Sequence, residues 1–357
     1  MLYLRIACYL GTFFIGRTAG AARGDIEAQY SFAASAFALH PTQPYMYATI
    51  PAQNSLAIIN TNTLAVENTI FVGSGPANLA LSPDGLTAYI ANGTYNFLAV
   101  FDTQTRAVTN SFLLPEQPMD VVFGNQNRLF VLGADNILQI DASTGGSAGS
   151  NIGSSFLVYS GALEISPDRN ALYYGDYGLS PASMYKFDVS STTPSLLWES
   201  PHGPHGSNGQ DLTLSHDGTF ISYATGSGQS NYQIAKFRAS DMAVLGSFNT
   251  GPYPREIAFS PDDKVAYTVH TTGRIDLFNT TTFLSQGTIL ASGEASELAL
   301  DSTGRYLFAS YTDSFGGAFT GVRVFDTGRV VPEPSSGIMI GLGTTFLMAC
   351  FRRRARS

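Results

Sequence analysis

Four carboxylates stand at one place in a recurring pattern. Asp120, Asp211, Glu256 and Glu297 each lie four residues before the first residue of a repeated turn; Asn78 holds that place in another copy, and Ala36 and Ala162 hold it in two more. If the segments carrying them begin at one mouth of a common channel, these side chains converge there and focus negative potential. Oxygen donors of this kind suit a divalent cation such as calcium, or a cationic ligand. The competing expectation, which the pattern favours, is that they accept backbone hydrogen bonds from the loops entering each unit. A second constellation is the loop carrying His202 and His205, with Asp211 and His216 following. These are transition-metal donors, but their spacing matches no zinc pattern and a Gly/Pro-rich loop fixes no ligand geometry. The loop reads better as a long connection. Aromatic residues form a third set, with 18 Tyr and 24 Phe. Most are expected to fill the core, with Tyr95, Tyr177 and Tyr253 as loop residues able to stack on sugar rings. His-Glu-x-x-His and Cys-based metal motifs are missing, and Gly145-Gly146-Ser147-Ala148-Gly149, which has the letters of Gly-x-Ser-x-Gly, lies in a Gly-rich stretch that reads as a turn with no helix beginning there, so it is no nucleophile elbow. No residue is therefore assigned a catalytic or cofactor-binding role.

The elements that must position these side chains follow from an internal repeat. Ser82-Pro83-Asp84-Gly85 recurs as Ser166-Pro167-Asp168-Arg169, Ser215-His216-Asp217-Gly218 and Ser260-Pro261-Asp262-Asp263. Degenerate copies begin at His40, Gly124 and Asp301. Pro presets φ at the first corner, Asp bonds its own backbone and Gly accepts positive φ, so these aspartates are structural. Each turn follows a segment of period two, as in Asp120–Phe123, and precedes an aromatic one such as Thr87-Ala-Tyr-Ile-Ala91. A third segment ends in pairs such as Phe101-Asp102, Phe187-Asp188 and Phe325-Asp326, and a fourth follows a Thr-rich turn. Four short antiparallel strands per repeat make a propeller blade. The fold expected is all-β: a seven-bladed β-propeller over residues 26–327. The last copy stops after its third strand, and an extra strand at 26–32 precedes the first copy, so the N-terminal strand is expected to close the last blade. Closure of this kind removes exposed sheet edges.

Composition narrows the function classes. Charged residues are 13 % and hydrophobic residues 44 %, a balance that excludes disorder. The net charge of −8 with no central basic stripe argues against nucleic-acid binding. The only cysteines, Cys8 and Cys350, lie in the two apolar ends, so residues between them form no disulfide.

Both ends read as targeting segments. Residues 1–22 have Arg5, an apolar run from Ile6 to Ile15, and small residues at Ala19-Gly20-Ala21-Ala22, the layout of a signal peptide. Residues 331–357 begin with Val331-Pro332-Glu333-Pro334, continue into an apolar segment at 337–351 and end with Arg352, Arg353, Arg354 and Arg356. The apolar segment is expected to be a transmembrane sorting helix, with the arginines held on the cytoplasmic side.

This three-part tail resembles the PEP-CTERM sorting signal of Gram-negative bacteria. The resemblance implies an exosortase-type processing enzyme as partner, transient anchoring in the membrane, and association with the cell surface and extracellular polysaccharide. The Ser-Pro-Asp-Gly repeat, with Gly-x-Pro before the inner strand (Gly73-Ser74-Gly75-Pro76, Gly251-Pro252-Tyr253-Pro254), resembles YVTN-type and lactonase-like propeller repeats. It implies a surface propeller, and more distantly a lactonase-like enzyme family. The expected function is a non-enzymatic binding scaffold for a polysaccharide or surface protein. The alternative is a secreted lactonase-like hydrolase using the channel-mouth carboxylates, with or without a divalent cation.

Overall fold

The structure is a computed structural model that describes residues 22–153, 160–177, 179, 181–200, 208–226, 232–270, 273–291, 293–312 and 320–329. Residues 1–21 of the segment read as a signal peptide, the His202/His205 loop and the sorting tail with its apolar segment lie outside the described residues. Seven antiparallel sheets are arranged as blades. Their inner strands are Ala36–Leu39, Pro76–Leu81, Asp120–Phe123, Gly161–Ile165, Gly209–Leu214, Pro254–Phe259 and Glu294–Leu300, numbered here as blades 1 to 7. Each inner strand packs against the next, and the ring closes where the strand of blade 7 meets that of blade 1.

The repeated turn builds each blade locally. The Ser82 hydroxyl donates to Asp84 Oδ1 at 2.6 Å and accepts from the Thr87 amide at 3.0 Å, so one side chain fixes both the corner and the return strand. Ser166, Ser215 and Ser260 repeat both bonds. In blade 7 Asp301 takes the serine's place and accepts from the Tyr306 amide at 2.7 Å. The turn aspartates are thus spent on the turns.

Closure occurs as expected. Ile26–Tyr30 pairs antiparallel with the third strand of blade 7, Gly321–Asp326, with Ala28 opposite Val324 and Tyr30 opposite Val322. The seam beside it is apolar: Met46, Ala48 and Ile59 of blade 1 pack with Tyr306, Phe308 and Val324 of blade 7. Burial of such side chains, about 1.5–3 kcal/mol each, drives the closure more than the pairing bonds do.

Blade 3 departs from four strands. Its described strands are Asp120–Phe123, Arg128–Leu132 and Ile137–Asp141, and the outer edge is met only by bridges from Ser147 and Ile152. The physical reason lies in residues 143–153, where Gly145, Gly146, Gly149 and Gly153 disfavour a strand and only Thr144 and Ile152 are β-branched, with no aromatic residue among them. Buried Arg128 compensates. Its guanidinium donates to Gln139 Oε1 and Ser191 O at 2.6 Å, to Val189 O at 2.5 Å and to Asn125 Oδ1, tying blade 3 to blade 4.

Candidate functional site

A cavity of about 860 Å³ runs along the propeller axis, lined by residues of all seven inner strands. Because a strand alternates its side chains, every second inner-strand residue faces this space. Asn78, Asp120, Asp211, Glu256 and Glu297 all line it, so the register read from the turns is correct. Glu164 joins them and was not singled out from the sequence. Its signal was present: it lies two residues after Ala162, hence on the same face of the same strand.

The carboxylates form a chain of contacts across the blade seams. Asp120 of blade 3 accepts the Leu163 amide of blade 4 at 2.7 Å, together with its own neighbour Val121. Glu164 of blade 4 is held by the Leu214 amide of blade 5. Asp211 of blade 5 accepts the Ile257 amide of blade 6 at 3.0 Å and the Thr213 hydroxyl at 2.8 Å. Glu256 of blade 6 reaches the Leu298 amide of blade 7 at 3.5 Å. Asn78 of blade 2 hydrogen-bonds Asp120. Backbone acceptance is therefore the first role of these groups, as the pattern favoured, but the donors are inner-strand amides of the neighbouring blade and not entering loops. Hydroxyls bridge seams elsewhere: Ser35 donates to Ala77 O at 2.7 Å, and Ser310 accepts the Ala34 amide and donates to the Ala34 carbonyl.

Glu297 differs. Its φ is 46°, in the left-handed region, and it is the unpaired residue of a bulge between Ser296 and Leu298. Among the described residues it accepts no hydrogen bond. Its carboxyl is pushed up to about 8, first by burial and then by the charges of Asp211 and Asp120. Burial, more than mutual repulsion, also lifts Asp120 to about 7 and Glu164 to about 8, and raises Asp211 and Glu256. The Tyr177 hydroxyl hydrogen-bonds Asp211 within the channel. Five carboxyl groups thus share one space and titrate as an interacting set.

Other expectations fare differently. His216 is five residues beyond Asp211, past the far end of its strand, and its Nδ1 lies 2.8 Å from Asp263 Oδ1, so these two donors do not meet. Among the described residues, no group of three or more His, Cys, Asp or Glu side chains is arranged to hold a metal ion. The carboxylates come from five different blades and all but Glu297 are engaged by amides, a donor set that does not fit a compact calcium site. Tyr95 and Tyr253 are exposed, at 60 % and 48 %, whereas Tyr177 lines the channel.

Residues 330–354 match the PEP-CTERM protein-sorting motif. The chain carries an exosortase sorting signal. The protein is therefore exported, sorted to the cell surface and anchored transiently in the membrane through its C-terminal segment, with processing by an exosortase. No helix among the described residues is long and apolar enough to cross a membrane. Among solved structures, the chain is similar to Kuenenia stuttgartiensis hydrazine synthase, with a TM-score of 0.68 and 16 % identity over 86 % of this chain and 99 % of that one. At that identity the likeness shows the propeller fold alone. No curated protein matches the chain.

Proposed function

We propose that the protein is a non-enzymatic surface scaffold of the YVTN type, and that the acidic end of its channel receives a cationic group of a surface polymer or surface protein. The observation that carries this reading is the use of the carboxylates. Asp120, Glu164, Asp211 and Glu256 each satisfy an amide of the next blade, so they hold the ring rigid while lending it negative potential. A group committed to backbone amides is poorly placed to act as a nucleophile or to shuttle protons. Glu297, bound to no described residue, is the member that a ligand would engage directly. The partner class considered is an extracellular polysaccharide or surface protein.

One observation favours the lactonase-like hydrolase instead. Carboxyl groups lifted to about 7 and 8 in a cavity have the proton affinity that general acid–base chemistry uses near neutrality. A direct comparison decides. The full-length protein is titrated calorimetrically at pH 9, where Glu297 is ionised, with an oligoamine such as spermidine, and assayed at neutral pH against simple lactones. Binding that weakens at least about tenfold in Glu297→Gln, with no lactone turnover, is expected. Lactone hydrolysis abolished by the same substitution would replace the scaffold with the enzyme.

A further inference from the structure

On the face formed by the repeated turns, away from the carboxylate ring, the fourth turn position is left-handed in six blades: Gly85, Asn127, Arg169, Gly218, Asp263 and Gly304, with φ between 50° and 75°. Where glycine stands there, it also allows close approach. A Cβ on Gly218 would lie 2.5 Å from Pro167 of the preceding turn, and one on Gly304 would lie 2.8 Å from Pro261. Among the seams whose fourth turn position is left-handed, two have lost both the proline and the glycine. In one, His216 replaces the proline and Asp263 the glycine, and the two side chains fill the space by pairing with each other. In the other, Asn125 replaces the proline and Arg169 the glycine, but no such pairing forms. Asn125 bonds Asn170 Oδ1 and Arg128 instead. The Arg169 guanidinium makes no hydrogen bond or ion pair with any described residue, whereas the side chain of every other described arginine and lysine makes at least one. A bulky cation therefore occupies a backbone conformation that favours glycine, with no partner among the described residues to account for it.

What surrounds it is a cleft of about 380 Å³ between the turns of blades 2, 3 and 4. Its lining includes Asp84, Tyr89, Phe123 and the exposed amide of Gln126, with Arg169 half-buried at one side. The Tyr89 and Phe123 rings lie 5.9 Å apart and give the cleft an aromatic wall. A guanidinium fork matches a planar carboxylate, while amide, carboxylate and ring edges match hydroxyls and the C–H face of a sugar. We propose that this cleft binds a uronate unit of an acidic polysaccharide, with the sugar carboxylate on Arg169. The site is separate from the channel and does not depend on the ligand proposed there.

The test is binding of a galacturonate trimer, the neutral galactose trimer and inorganic sulfate to the full-length protein, by calorimetry, in the parent and in Arg169→Gly and Arg169→Lys. Glycine suits the left-handed position, so Arg169→Gly is expected to fold with an unchanged or higher melting temperature. It is also expected to lose at least about tenfold in affinity for the uronate trimer. Arg169→Lys keeps the charge but not the fork and should fall between. Absence of uronate binding, equal binding of the neutral trimer, undiminished binding in Arg169→Gly, or sulfate binding as tight as the uronate would each overturn the assignment. None of these outcomes bears on spermidine binding in the channel, so the two sites are judged separately.

Discussion

Glu297 shows how a single residue can be set against the stability of its own fold. A carboxyl raised to about 8 in the folded chain, against about 4.3 in an unfolded one, binds its proton more tightly when folded. The stability it contributes is complete below the unfolded value and is lost as pH rises through the folded one. Asp120 and Glu164, also raised by burial, act in the same direction over the same window. The melting temperature is therefore expected to fall between pH 5 and pH 9. Glu297→Gln copies the protonated side chain, so it should leave melting unchanged at pH 5 and raise it by about 2 °C at pH 9. Thermal melts at the two pH values check this; a parent protein most stable at pH 9 would contradict the direction of the shifts. The turn residues Ser82 and Asp84 need no such test of role, because the Ser82 hydroxyl and Asp84 Oδ1 are already engaged within the turn.

At the scale of elements, blade 3 is where regular strand pairing gives way to side-chain pinning. Arg128 holds carbonyls of blade 4 and the amide oxygens of Asn125 and Gln139 without a carboxylate partner, and burial lowers its proton affinity. Replacing it with leucine leaves several buried acceptors unpaired, which costs about 3 kcal/mol. Chemical denaturation of Arg128→Leu should show that loss with an unchanged m-value; a stability equal to the parent would mean the seam is held by apolar packing alone. Inner strands, turns and the closing strand Ile26–Tyr30 were legible in sequence because period two and the Ser-Pro-Asp-Gly corners are local signals. That blade 3 has three strands among the described residues was not legible, since the expectation of four was carried over from better-preserved copies. The site was legible only in part. The register placed Asp120, Asp211, Glu256 and Glu297 in the channel, while their amide partners on the next blade depend on how adjacent sheets sit, which no local pattern encodes. Arg169 was visible as a departure from glycine, but its lack of a partner appears only when the neighbouring turns are assembled.

For the whole molecule, the closed ring and the sorting signal divide the work. The ring joins its first and last strands in one sheet, so the described fold ends at a pairing that does not involve the tail. In the sequence Pro332 and Pro334 flank Glu333 shortly after the closing strand, within the residues that match the sorting motif. Processing should therefore depend on Pro332-Glu333-Pro334 and leave propeller stability untouched. Substituting Glu333→Ala with Pro332→Ala is expected to retain the protein in the membrane fraction at its unprocessed mass, with the same thermal melt as the parent. In the parent, mass spectrometry of the surface-released protein should show that the arginines from Arg352 onward are gone. Release of the double variant at the same mass and rate as the parent would show that recognition lies elsewhere in residues 330–354, in the apolar segment or the arginine cluster.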